Sequence, residues 1–156
     1  MPFPNAPLAG ATGGANPSVT VAQAQALLGL SYISVSVPVN FNAVGDTPID
    51  IPLPQGFSTY AVDMVFIANA SAPINGAKVG LFTQAGGAGA AIVAGGTAVT
   101  VSSAAPDTAN NMQQIAVGPG LSESFNVPRL YFRVTTAQPG PAPATGTVVL
   151  LLYALF

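Results

Sequence analysis

The sequence predicts an all-β fold, an antiparallel jelly-roll or β-sandwich of about eight strands. Three observations carry that expectation. Residues 32–41 alternate strictly, with Ile33, Val35, Val37, Val39 and Phe41 on one face and Ser34, Ser36, Pro38 and Asn40 on the other, which is the period of a half-buried strand. Further apolar stretches follow at short spacing, each bounded by Gly- and Pro-rich breakers. No helical pattern intervenes between them, so nothing supplies the crossovers that a parallel sheet requires.

Taken in order, residues 1–17 are mostly Pro, Gly, Ala and Asn without a hydrophobic period and read as an extended N-terminal arm. Residues 18–30 read as a short helix and linker: Thr20 is an N-cap, Gln23 stands three positions on, and Gly29 is a stop. Residues 31–156 form the β-domain, opened by the strand at 32–41, in which Pro38 cannot donate to a ladder and so predicts either an edge strand or a break in pairing at that residue. Further strands are expected at 47–53, 59–68, 77–83, 91–101 with a break at Gly95-Gly96, 113–117, 130–136 and 145–155. The last of these, Val148-Val149-Leu150-Leu151-Leu152-Tyr153, is apolar at both parities. Both its faces should be covered, one by the core and one by a partner.

Composition narrows function. At 156 residues the chain is one domain of ordinary size. Only 5% of residues are charged, against about 25% in ordinary globular chains. With so little charge to hold neighbours apart, part of the surface is expected to be an interface, and the chain a homo-oligomer. Three Lys and Arg residues are too few for a nucleic-acid footprint. Neither Cys nor His occurs, which removes disulfides, thiolate nucleophiles, Ser-His triads and the commonest zinc ligands. No enzyme activity and no metal or other cofactor is expected. The longest apolar run, 148–156, is far short of the roughly 18 residues of a membrane-spanning helix. The N-terminus has neither the basic nor the apolar region of a signal peptide, so synthesis in the cytoplasm is expected and no membrane partner is.

Four local patterns suggest chemistry and each has a plainer use. Asp46 and Asp50 could pair as carboxylates for acid-base work or calcium, but the stretch lacks the spaced ligands of a calcium loop and reads as a polar turn entering a strand. Gly86-Gly87-Ala88-Gly89 could cradle a phosphate, but no Lys follows and a hairpin tip fits better. Arg129 and Arg133 share one parity, opposite Leu130, Phe132 and Val134. With Lys78 they could bind acidic sugars or a partner's carboxylate, but the plainer expectation is that an Arg pairs with Asp63 or Glu123, within or between subunits. Finally, the C-terminal Phe156 with apolar residues at alternate positions before it is similar to the terminal strand of bacterial outer-membrane barrels, although that strand lacks polar residues on its other parity.

The stretches Leu130-Tyr131-Phe132-Arg133-Val134-Thr135-Thr136-Ala137-Gln138 and Gly80-Leu81-Phe82-Thr83-Gln84, the second followed by a Gly/Ala tip, resemble small β-rich virion proteins of tailed bacteriophages, the head decoration or cement proteins. The resemblance implies a structural protein of the capsid exterior, commonly trimeric, whose partners are other copies of itself and the major capsid protein. Short tail or head-fibre adhesins, including glycan-binding modules, share the style. On this reading the expected interface residues are Phe3 and Leu8 of the arm together with Val148, Leu150, Leu152 and Tyr153 of the final strand.

Overall fold

In the computed structural model, residues 30–102, 111–118, 123–141 and 143–156 are described. They form β1 (Leu30–Asn40), β2 (Gly45–Asp50), β3 (Thr59–Ala68), β4 (Lys78–Phe82), β5 (Ala91–Ala98), β6 (Gln113–Ile115), β7 (Arg129–Thr136) and β8 (Thr145–Leu155), with a single 3-10 turn at Ala85–Gly87. The arm expected at 1–17 and the helix expected at 18–30 lie outside the described residues, apart from Leu30 at the start of β1.

The strands make two four-stranded antiparallel sheets, ordered β1-β8-β3-β6 and β2-β7-β4-β5. Four pairings are nested: β1 with β8, β2 with β7, β3 with β6 and β4 with β5. Among the described residues these successive pairs fall alternately in the two sheets. The sheets pack face to face as a β-sandwich, and the apolar parity of each strand fills the space between them. Phe41, Tyr60, Ile67, Phe132, Leu150 and Leu152 are among the fully buried side chains of that core. Phe41 and Phe132 meet edge to face across it, with ring centroids 6.4 Å apart. The one phenol so deep, that of Tyr60, donates to the Val127 carbonyl at 3.0 Å, which meets the requirement that a buried hydroxyl be bonded. Two separate sheets around an apolar filling replace the closed single sheet that the C-terminal barrel pattern would imply.

The expected strands are present with local differences. β2 begins earlier and ends at Asp50, because Pro52 and Pro54 have no N–H to continue the ladder. Gly95-Gly96 does not end β5; the strand runs through, and the pair is absorbed by register shifts against β4. Pro38 sits on a strand that is an edge among the described residues, the first of the two expected placements. One end of the sandwich is closed by side chains bonded to loop backbone. Gln138 Oε1 accepts from the N–H groups of Asn75, Gly76 and Ala77 at 3.0, 2.7 and 3.2 Å. Ser71 Oγ donates to the Pro143 carbonyl and accepts from Thr145 N–H.

On the outer face of the second sheet, the Phe82 ring lies against two glycines, Gly80 and Gly95. A methyl at Gly80 would stand 2.6 Å from Phe82 Cε2, and one at Gly95 would stand 3.3 Å from Phe82 Cζ. The glycines make the trough and the ring fills it. Gly80→Val should therefore cost about 1–3 kcal/mol, the range for overpacking. Measured by urea unfolding, the same change in a Phe82→Ala background should cost clearly less, because the clashing ring is gone.

Candidate interaction surface

The two outward faces of the sandwich differ in chemistry. All three cationic residues of the chain, Lys78, Arg129 and Arg133, and the carboxylates Asp46 and Asp50 stand on the second sheet. β2 and β7 pair so that Asp46 faces Arg133 and Asp50 faces Arg129. Both pairs close, Arg129 Nε to Asp50 at 2.6 Å and Arg133 to Asp46 at 2.9 Å. The register thus assigns the arginines to Asp50 and Asp46 in place of the expected Asp63 and Glu123, because directly opposed side chains on one face are the nearest available partners. The other oxygen of Asp46 accepts from Gly86 N–H at 2.7 Å, and Gly86 reaches it with φ at 75°, a conformation that glycine adopts without strain. The Gly-rich stretch is the tip of the β4–β5 hairpin, as expected, and one of its N–H groups is bonded to the chain's own carboxylate.

These contacts settle what the acidic pair can do. Partial burial works against ionisation of Asp46, but the Gly86 N–H and the Arg133 guanidinium outweigh it and hold the carboxyl below its usual range. Arg129 does the same for Asp50, chiefly through their hydrogen bond. Both are anions engaged with guanidinium groups, so neither is a proton donor near neutral pH. Among the described residues no group of His, Cys, Asp and Glu is placed to hold a metal ion.

The first sheet presents the opposite chemistry. β8 lies at its centre between β1 and β3, and its even positions from Gly146 to Ala154 are buried against the second sheet. Val148, Leu150 and Leu152 are each 0% exposed within the chain, so three of the four final-strand residues expected at the interface belong to the core. The physical reason is the period of two: every side chain of one parity shares one face, and an apolar run at both parities does not say which parity turns inward. Thr145, Thr147 and Tyr153, with their polar tips, share the odd parity and were the available signal. Tyr153 does face outward, accompanied by Val149, Leu151 and Leu155, all half-buried. β3 adds Met64 opposite Leu151 and Phe66 opposite Val149. The extra residue that shifts this register is Asp63.

Tyr32 of β1 stands opposite Tyr153, and their rings meet edge to face at 4.9 Å. Burial, then the nearby charge of Asp63 and the Tyr153 phenol, push the Tyr32 phenol up from its ordinary value, so it stays protonated. At the same end of the sheet Phe57 stacks on the C-terminal Phe156 at 4.5 Å, and Phe156 remains 75% exposed. The result is a contiguous apolar stripe with Asp63 its one charge among the described residues. Phe3 and Leu8 lie outside the described residues. The stretches that resemble decoration proteins fall on β4 and β7, neighbours in the charged sheet. No protein-family model matches the chain, and no curated protein matches its sequence.

Two tests follow from this division of faces. Leu150→Ala should cost about 2–5 kcal/mol, as core truncations do, whereas Leu151→Ala one position on should cost well under half of that in the same urea titration. For Asp46 the folded carboxyl is held below its unfolded value, so its stabilisation is present above the ordinary carboxylate pKa of about 4 and is lost as pH falls through the lower folded value. In acid titrations of stability, Asp46→Asn should show a shallower loss than the parent chain.

Proposed function

We propose that the chain is a structural subunit of a virion, a decoration or cement protein on the outside of a tailed-phage capsid. It acts by adhesion and not by catalysis. The same reading takes the sandwich to be a jelly roll, two Greek keys in one sandwich, which the nested pairings support. The observation that carries it is the apolar stripe on the first sheet, Met64, Phe66, Val149, Leu151 and Tyr153, set against a second sheet that holds all the chain's cations. A chain with both faces charged would be at ease alone in water. One with a single apolar face gains by covering it. The stripe meets other copies or the major capsid protein, the charged sheet faces solvent, and the arm, through Phe3 and Leu8, adds a second point of attachment. Bound across a joint between capsid subunits, such a protein raises the work of separating them by linkage between binding and the assembled state.

The Tyr32–Tyr153 pair, in which Tyr32 is exposed and Tyr153 half-buried, beside Asp63 favours one second reading, a glycan-binding adhesin, because tyrosine faces with a nearby carboxylate suit a sugar ring.

Leu151→Lys places a charge in the middle of the stripe without touching the core. The variant should melt with the parent in dilute solution yet be lost from purified particles of the encoding virus, on which the parent chain is present. Deleting residues 2–16 should leave the melting temperature unchanged and lower occupancy on the particle. Full occupancy of the Leu151→Lys protein would remove the stripe from the mechanism, and binding of the isolated chain to an oligosaccharide array with no presence on particles would favour the adhesin.

A further inference from the structure

The sandwich has four sheet edges, and three of them are unsuited to pairing with another chain. β2 carries Asp46, Pro48 and Asp50; β5 contains Gly95-Gly96 and pairs irregularly; β6 is three residues long. Charge, proline, irregularity and brevity are the features that keep edges from pairing. The fourth edge, β1, has eleven residues and no charge. It bonds to β8 on one side, and among the described residues no strand lies on the other.

The direction of its open groups can be worked out. Phe41, next after β1, donates its N–H to the Ala144 carbonyl at 2.8 Å and continues the β1 to β8 register. Odd residues therefore bond to β8, and even residues turn their N–H and C=O groups away from it. Among the described residues nothing bonds to these groups of Tyr32, Ser34 and Ser36, which stand open to a partner strand, and Pro38, which has no N–H, falls at the same parity. The side chains add a second requirement. Ile33, Val35 and Val37 point inward but are only partly buried against the core, because the sandwich stops at this edge. A partner must supply an extended backbone and apolar side chains of matching parity.

We infer that this partner is β1 of a second copy, paired antiparallel across a two-fold axis at Ser34. That axis sets Ser34 against Ser34 of the second copy, Tyr32 against its Ser36, and Ile33 against its Val35. Outward residues meet outward residues and inward meet inward, so the apolar edge of each core is covered by the other. Small serines opposite Tyr32 leave room for the ring, and no like charges are opposed. About six backbone hydrogen bonds form between Tyr32 and Ser36 of the two chains, none of which uses the missing N–H of Pro38. The two first sheets become one continuous sheet, and their apolar stripes lie on the same side of it. The inference rests on the assembly reading above and adds its geometry: an isologous contact, hence an even number of chains.

The test uses the full chain. Light scattering should give a two-chain mass, or a multiple of it, at micromolar concentration. Hydrogen exchange should show the Ser34 and Ser36 amides protected in the assembly and at least tenfold less protected on dilution, while Ile33 and Val35, bonded to β8, stay protected throughout. Ser34→Pro removes only an outward N–H, at the parity where Pro38 is already accommodated, and should weaken association at least tenfold with an unchanged melting temperature of the dilute protein. Should that variant misfold, Ser36→Lys, which opposes a charge to Tyr32 of the second copy, must weaken association likewise. Three-chain assemblies, or assembly with Ser34 and Ser36 exchanging freely, would overturn the β1 pairing and leave the virion reading intact. A stable monomer that still occupies particles would overturn the pairing alone, and a paired dimer absent from particles would overturn the virion reading alone.

Discussion

The placement of β8 between β1 and β3 is the constraint on which the rest of the structure depends. A strand bonded on both sides has its register fixed twice, by Val37 against Val148 on one side and by Ile67 against Val148 on the other. Both pairings send Val148, Leu150, Leu152 and Ala154 into the core, and a slip of one residue in either would expose the whole row. Because the register is locked in this way, the odd row has no choice but to face out. The apolar stripe is thus a consequence of how the core is built as well as a surface in its own right. The outward leucines and valines are half-buried by their neighbours on β1 and β3.

The charged face answers a different demand. With 5% charged residues, the chain has few groups available to keep it soluble, and it spends five of them on one sheet. Four of those form cross-strand pairs, which lowers their value as repulsive charge but fixes their position. Asp46 is the most heavily used: it binds Arg133 and the Gly86 N–H together, and so ties β2, β7 and the turn after β4. This network is partly shielded, and its contribution is to orient the tip more than to add stability, since exposed pairs are worth little in water. The contrast between the two sheets is one of chemistry: one outer face carries the paired charges and the other the apolar stripe.

Most of the fold was legible in the sequence because its signals are local. The Ile-Ser-Val-Ser-Val alternation of β1 and the Pro and Gly breakers around β3, β4 and β7 needed no long-range information. What could not be read was any property decided by a neighbour across the sheet. Gly95-Gly96 looked like a break, yet β5 keeps its extended backbone through it while the ladder to β4 skips from Val93 to Thr97 and the Phe82 ring lies against Gly95. The arginines were assigned to the wrong carboxylates because opposition across β2 and β7 is set by register, which no spacing along the chain reveals. The inward parity of β8 was open for the same reason, and with it the interface list. Val148, Leu150 and Leu152 were named for their apolarity, which is what a core and an interface have in common.

The distinction between covering a face and extending an edge bears on what kind of assembly this chain can make. Apolar faces are permissive: Met64, Phe66 and Leu151 would accept many flat partners, and packing alone discriminates weakly among them. Backbone edges are demanding, since a partner must be extended, correctly directed and in register over several residues. A subunit that used only its stripe would associate readily but without a fixed geometry, whereas one that used only the edge of β1 would be aligned but weakly held. The structure offers both on adjoining strands, with Tyr32 belonging to each: its backbone lies on the open edge and its ring packs on Tyr153 in the stripe. Substitutions at Tyr32 should accordingly act on alignment and on affinity together, which neither Ser34 nor Leu151 can do alone.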